Sequence, residues 1–180
     1  MIKKPIGIYS YSEAKYNGYD FDNPFVFCKL KKVILKALPF VLIEHVGSTS
    51  IINCGGKGII DIAILYIHGQ IELAKKGLEI IGFQKQISKD PFPESRPMRV
   101  GSIKWKNKKY KIHAHVIKFG CREHFELIYL RELLNINSKL RNNYEKVKQK
   151  IIEKGITDSL KYSIEKGKFI KSHILRSNLK

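Results

Sequence analysis

A Gly-Ser-Thr-Ser sequence at residues 47–50 has the residue types that commonly bind phosphate groups. It follows a short apolar stretch that we predict to be a strand. Gly47 can bring backbone N–H groups close to an anion, and the hydroxyls of Ser48 and Thr49 add further donors. Small hydroxyl-rich turns are also common in proteins that bind nothing there, so the turn alone does not define a site.

Asp61 is the second residue of chemical interest, because it is the only charged residue in the apolar run 59–67. Such a run is typical of a strand buried on both faces, where a carboxylate costs several kcal/mol unless a cation, a metal or a hydrogen-bond donor compensates it. Lys57, four residues upstream, could pair with this carboxylate or with a phosphate. We therefore expect Asp61 to face a hollow that it shares with the glycine–hydroxyl turn.

Two histidines, His113 and His115, stand two residues apart in a second predicted strand. Side chains at this spacing point to the same face of a sheet, so both could reach one ligand. Protonated imidazoles would bind a phosphate, and neutral imidazoles would bind a metal ion. The alternative is a pair of half-exposed strand histidines without a ligand.

The C-terminal third carries basic side chains at helical spacing. Arg131 could deliver a bidentate guanidinium to a phosphate. Two Tyr/Lys pairs at i, i+4, which would each share one helix face, could close the basic side of a pocket: Tyr144 with Lys148, and Tyr162 with Lys166. Ordinary helix packing with solvated lysines explains the same pattern.

The chain is strongly basic, with 34 Lys and Arg against 16 Asp and Glu and a net charge of +18. Residues 101–180 carry +13 of this charge. Such a field attracts nucleic acid or small phosphates. A compositional bias towards lysine, unrelated to binding, would give the same excess.

Hydrophobic periodicity predicts an α/β (α+β) fold in a single domain, 1–180, with a helical C-terminal segment. A polar stretch at 88–97 is predicted to be a loop, and the strands on either side of residues 106–109 are predicted to form a hairpin. The predicted helices are 25–38, 70–82, 122–135, 138–154 and 158–176, and the predicted strands are 41–46, 59–67, 98–106 and 110–118.

Residues 44–61, EHVGSTSIINCGGKGIID, closely resemble the signature of the GrpB family, which belongs to the nucleotidyltransferase superfamily. The resemblance extends along most of the chain, through the His-Ala-His strand at 113–115 and the arginine-bearing helix around 131. It implies a nucleotidyltransferase-like mixed sheet flanked by helices. It also implies that Gly47, Ser48, Thr49, Lys57, Arg131, Tyr144, Lys148 and Lys166 surround a nucleotide, with Asp61, His113 and His115 as the catalytic positions.

The sequence departs from the superfamily pattern where the second metal-binding carboxylate is expected, because position 63 is alanine. Nucleotidyl transfer from an NTP uses two or three carboxylates to hold Mg²⁺ or Mn²⁺, and here Asp61 is the one candidate metal ligand that the motif supplies. Carboxylates elsewhere, such as Glu44 or Glu94, could complete the set.

Three hypotheses for function follow. The first is a GrpB-like protein that binds a nucleotide or another phosphorylated ligand, with nucleotidyl transfer weak or lost. The second is a non-catalytic module that binds nucleic acid or another polyanion. The third is a metal-dependent hydrolase that uses Asp61 with His113 and His115. Whether the chain is an enzyme, and its oligomeric state, stay open.

The remaining sequence features narrow the class of protein. No apolar stretch is long enough to predict a membrane span, and the N-terminal residues lack the apolar run of a secretory signal. The three cysteines form no CxxC pair and predict neither a zinc site nor a disulfide framework. We expect a cytoplasmic protein.

Overall fold

The computed structural model describes residues 4–88 and 90–173, and a mixed five-stranded sheet lies at its centre. A 3₁₀ turn, Ser48–Ser50, follows the first strand. The helices and strands, in chain order, are α1 (Asn23–Ala37), β1 (Leu42–Val46), β2 (Ile59–Tyr66), α2 (Ile71–Ile80), β3 (Gln84–Lys85), β4 (Met98–Trp105), β5 (Lys108–Lys118), α3 (Arg122–Ile136), α4 (Ser138–Glu153) and α5 (Ser159–His173).

The sheet has the strand order β1-β2-β5-β4-β3. β2 and β5 pair in parallel, whereas the other neighbours are antiparallel. The parallel pair is central, and its register places Asp61 beside His113 and Ala63 beside His115. This topology brings the two chemical segments of the sequence onto adjacent strands.

One face of the sheet is an apolar core covered by α1 and α2. Ile60, Ile62 and Ile64 of β2 are fully buried there. Leu30 of α1 and Leu78 of α2 belong to the same core. Since successive residues of a strand point to opposite faces, this packing turns the alternate residues of β2 to the other side.

The other face of the sheet carries Asp61 and is covered at one end by α3. Ala63 and Leu65 of β2 pack with Leu127 and Ile128 of α3. A separate cluster joins α3, α4 and α5 to the segment after the 3₁₀ turn, with Ile51 at its centre. The C-terminal helices therefore pack against the segment that follows the turn.

The elements follow the predicted order, with differences at weakly patterned positions. β3 lies just before the predicted loop and was not predicted, because two residues at a sheet edge show no alternation. The hairpin turn is shorter than predicted: Trp105 pairs with Lys108, and Lys106 adopts a positive φ of 50°. The predicted end of the last helix, 174–176, lies outside the described residues.

Within the described ranges, none of the helices has the length and hydropathy needed to cross a membrane.

The packing of α1 on α2 gives a stability test at Gly77, where a Cβ would lie 2.2 Å from Cδ2 of the buried Leu38. We expect Gly77→Ala to lower the free energy of unfolding by about 1–3 kcal/mol, because overpacking outweighs the better helix propensity of alanine. Gly167 in α5 is the matched control, since a Cβ there would meet no atom within 4 Å. Gly167→Ala should raise the stability by about 0.5–1 kcal/mol. Urea unfolding measures both changes, and stabilisation by both variants would contradict the packing.

Candidate functional site

The carboxylate of Asp61 faces the two histidines of β5. Its Oδ1 lies 3.3 Å from Nδ1 of His113 and 3.6 Å from Nε2 of His115. The three side chains are 16–24% exposed, so they are sheltered but reachable from solvent. Burial opposes ionisation of Asp61, but the N–H groups of His113 and His115 outweigh burial and hold its pKa far below the ordinary range. Asp61 is therefore ionised at any physiological pH.

His115 is held as a neutral imidazole by Arg96. The guanidinium Nη1 of Arg96 lies 3.0 Å from Nδ1 of His115, and arginine can only donate. Nδ1 must therefore accept, which leaves the proton on Nε2, facing Asp61. Burial lowers the pKa of His115, and the positive charge of Arg96 lowers it further, although Asp61 acts in the opposite direction. Glu123 anchors Arg96 through an ion pair.

His113 has a different partner, the phenol of Tyr9, whose oxygen lies 2.9 Å from Nε2. Burial, followed by the negative charge of Asp61, raises the pKa of Tyr9 above its usual value, so the phenol keeps its proton. A phenol O–H can either donate or accept. The hydrogen bond between His113 and Tyr9 can therefore run in either direction, whereas the bond between His115 and Arg96 cannot.

The glycine–hydroxyl turn abuts the same carboxylate. Gly47 has a φ of 70°, and a Cβ at this position would lie 2.5 Å from Oδ2 of Asp61. The side chain of Ser48 follows directly and is half-buried beside Gly56. The expected proximity of the turn and the acid is therefore present in the structure. One oxygen of Asp61 faces the turn and the other faces the histidines.

The Thr49 prediction, in contrast, is wrong in its geometry. Its hydroxyl is buried, donates to the carbonyl oxygen of Ile59 at 3.2 Å and accepts from Nε2 of His45 at 3.0 Å. Burial lowers the pKa of His45 to about 4, so this ring is neutral at pH 7. Thr49 connects the turn to the start of β2 and has no hydroxyl hydrogen left to donate to a ligand.

Lys57 does not pair directly with Asp61. Its Nζ donates to Oγ of Ser159 at 2.8 Å and lies 5.3 Å from the ring centroid of Tyr162, both in α5. Burial, followed by the charge of Lys166, lowers the pKa of Lys57 to about 8. The spacing of four residues suggested a contact with Asp61, but Lys57 lies in a bend before β2 and its ammonium faces α5.

The Tyr144/Lys148 pair is buried and does not form the basic side of an open pocket. Lys148 is 1% exposed, and its Nζ contacts Sγ of Cys54 at 3.0 Å, the carbonyl oxygen of Gly55 and the ring of Tyr144 at 4.4 Å. Tyr144 is also buried and stacks on Phe169. Its role is packing between α4 and α5.

Even so, the Lys148 ammonium lies close to the turn. A Cβ at Gly56 would lie 2.5 Å from Oγ of Ser48 and 3.8 Å from Nζ of Lys148. The charge of Lys166 acts on both Lys57 and Lys148 and lowers the pKa of each, in addition to the larger effect of burial. Lys148 is therefore the lysine beside Ser48, and Lys166 is near enough to Lys57 and Lys148 to act on both. Among the residues that the structure describes, none of the three lysines forms an ion pair within 4.0 Å.

Arg131 is engaged in the fold, which contradicts its predicted role as a free phosphate clamp. Its Nη1 donates to Oε2 of Glu44 and to the carbonyl oxygen of His45, both at 2.9 Å. Glu132 forms a second ion pair with it at 2.8 Å. Arg131 therefore fastens α3 to β1.

Three functional neighbours were missed or undervalued by reasoning from the sequence. Tyr9 lies outside every motif. Arg96 lies in the predicted loop 88–97, where no motif distinguishes it. Glu145 accepts hydrogen bonds from the Tyr16 hydroxyl at 2.8 Å and from the Gly55 amide at 2.7 Å, so it shapes the loop beside Ser48. Their contacts join segments far apart in sequence, for which local spacing gives no signal.

The residues present do not fit the Mg²⁺ or Mn²⁺ site that the superfamily pattern implies. Ala63 is fully buried among apolar side chains where the second carboxylate would stand. The described part of the chain contains no group of three His, Cys, Asp or Glu side chains placed to hold a metal ion. In the set of Asp61, His113 and His115, the His115 nitrogen that faces Asp61 carries a proton and has no lone pair for a metal ion, which argues against the metal-dependent hydrolase.

The two acids proposed to complete a metal site are committed elsewhere. Glu44 pairs with Arg131. Glu94 binds the guanidinium of the buried Arg99 at 2.9 Å and Nζ of Lys75 at 2.9 Å, and its pKa falls to about 2, mainly because of Arg99. Arg99 is itself held by Glu94 and Glu79, so it does not reach a phosphate.

Comparisons with known proteins agree with this architecture. The chain is 28% identical over 137 residues to the UPF0157 protein BH1888 of Halalkalibacterium halodurans, which covers 76% of this chain and 67% of that protein. The crystal structure of the conserved protein GrpB from Enterococcus faecalis is similar with a TM-score of 0.61 at 20% identity, covering 88% of this chain and 99% of that one.

Nucleotidyltransferase-like structures share the fold at lower identity. A chain of the GLD-2/RNP-8 complex matches with a TM-score of 0.56 at 14% identity, over 82% of this chain and 50% of that one. This similarity shows the fold alone and confirms the predicted mixed sheet flanked by helices. The model of the family described as GrpB protein matches residues 16–176. The chain therefore belongs to the GrpB family and has a nucleotidyltransferase-like fold.

Proposed function

We propose that the chain binds a phosphorylated small molecule, such as a nucleotide, beside Ser48 and Asp61, without a divalent metal ion. The observation that carries this proposal is the ammonium of Lys148, which is buried beside Ser48 and forms no ion pair with a described residue. Lys166 is near enough to lower the pKa of both Lys148 and Lys57.

Like charges held close together in a partly buried place repel one another and favour an anion as their partner. The pKa of Lys57 and that of Lys148 are both lowered, first by burial and then also by Lys166, so this repulsion is already present in the free protein. A phosphate group carries the charge and the acceptor oxygens that would relieve it. Ser48, beside Lys148, has a hydroxyl that can donate to the same phosphate group.

The Asp61 side of the site suits a different part of the ligand. A carboxylate repels phosphate, but it accepts hydrogen bonds from a hydroxyl or an amino group. His115 holds the carboxylate in one position, because Arg96 keeps the His115 proton on Nε2, which faces Asp61. A ligand with a phosphate at one end and a hydroxyl or amino group at the other end, as in a nucleotide, matches both halves.

Proton exchange, if a reaction accompanies binding, is assigned to His113. Its Nδ1 faces Asp61, and its Nε2 faces a phenol that can reverse its hydrogen bond. We do not propose metal-dependent nucleotidyl transfer, because the second acid is replaced by Ala63 and the other carboxylates are paired.

The proposal predicts metal-independent stabilisation by a nucleotide. ATP at about 100 times its Kd should raise Tm by about 5–10 °C, equally in EDTA and in Mg²⁺. Lys166→Gln should weaken binding about tenfold, because it removes one charged donor. Lys161→Gln, an equal charge change at an exposed position of the same helix, should leave binding unaltered. Thermal shift measurements decide the matter: no shift with ATP, or a shift only with Mg²⁺, contradicts the proposal.

The lowered pKa of Lys57 predicts a pH dependence of binding. The ammonium is lost as the pH rises through about 8, so ATP affinity should fall by up to about tenfold per pH unit above that value. Calorimetric titration between pH 7.5 and 9.5 avoids ionisation of the phosphates themselves. In Lys57→Arg the charge persists and the affinity should stay flat. Identical profiles for the two proteins would show that Lys57 does not contact the ligand.

The Arg96–His115 contact predicts a fixed tautomer. Nitrogen NMR of the imidazoles at pH 7 should show His115 neutral and protonated on Nε2. Arg96→Met should raise the pKa of His115, because a positive neighbour is removed while Asp61 stays. His68, on an exposed turn, serves as the internal reference. A protonated His115 in the unaltered protein at pH 7 would rule out the assignment.

A further inference from the structure

A recess of about 410 Å³ lies between α1 and the end of β4, away from the Asp61 site. α1 packs on the sheet face formed by Ile60, Ile62 and Ile64, whereas Asp61 points to the opposite face. We propose that this recess binds single-stranded nucleic acid, with a base stacked on Phe25 or Trp105 and phosphates held by the lysines of α1. This second site does not depend on the ligand proposed above.

Two aromatic rings line the recess and provide stacking surfaces. Phe25 and Trp105 are parallel within 4°, and their centroids are 6.4 Å apart. Phe25 is 59% exposed, which is unfavourable for a phenylalanine unless something covers it. Trp105 is only partly exposed, so its ring is held in place by the core while its outer part lines the recess.

The charge of the recess has one sign. Lys29, Lys32 and Lys36 line it, and no acidic residue does. The whole of α1 contains four lysines and no Asp or Glu. From Lys29 to Lys36 the helix rises by about 10 Å, so the lysines form a row longer than one phosphate group. A row of this kind fits a chain of phosphates better than a single anion.

The combination of exposed aromatic rings and lysines favours single-stranded nucleic acid over other polyanions. Bases stack on aromatic side chains whatever their sequence, and lysines bind the backbone between them. A base paired in a duplex keeps its faces covered by its neighbours, so it cannot use these rings. Acidic peptides and anionic lipid surfaces would use the lysines, but they offer no planar ring. The combination therefore favours an unpaired strand.

Trp105 is the only tryptophan in the chain, so its fluorescence reports on this recess directly. A 12-nucleotide oligouridylate should quench it. The logarithm of the affinity should fall with the logarithm of salt with a slope of about −2, as expected for three phosphate contacts. Phe25→Ala should weaken binding about tenfold. Phe125→Ala, which removes a ring that is 61% exposed on α3, should have no effect.

Charge variants complete the test. Lys32→Glu with Lys36→Glu should abolish quenching at 0.15 M salt, whereas Lys139→Glu with Lys150→Glu, an equal charge change on exposed positions of α4, should leave most of it. Inorganic polyphosphate should compete with the oligonucleotide without quenching. The proposal is overturned if the two double variants behave alike, if a duplex quenches as strongly as the single strand, or if vesicles containing phosphatidylserine perturb Trp105 when the oligonucleotide does not.

Discussion

A negative charge on β2, an inner strand of the sheet, is the constraint on which the site depends. Asp61 lies between an antiparallel and a parallel neighbour, and its carboxylate is held by imidazole groups on β5. The arrangement also fixes the register of the strand. A shift by one residue would place the acid in the apolar core with α1 and α2, where nothing could neutralise it.

The neighbours of the two histidines give these rings different properties. His115 is bound to a permanent cation and is restricted to one neutral tautomer, whereas His113 is bound to a phenol that can donate or accept. The same strand therefore supplies a rigid hydrogen-bond donor and a group that can exchange a proton. Lys148 of α4 adds a buried ammonium beside Ser48, and Lys166 of α5 lies near enough to lower its pKa.

The sequence predicted the features that depend on short-range periodicity. The central strands follow from their apolar runs, and the meeting of Asp61 with His113 and His115 follows once the two strands are adjacent. The partners of Thr49 and Arg131 could not be predicted, because hydroxyl and guanidinium groups bind whichever backbone carbonyl or carboxylate the tertiary fold presents. Tyr9 shows the same limit, since its contact with His113 joins residues 104 positions apart.

The close approach of Gly47 to Asp61 explains why this position of the turn is a glycine. The backbone there is left-handed, and any side chain would collide with the carboxylate. Steric exclusion by a neighbouring acid is thus sufficient to require glycine at this position, independently of any phosphate. A relative that had lost its ligand but retained the aspartate would still need this glycine. The glycine therefore marks the position of the acid, and it does not by itself show that a ligand binds there.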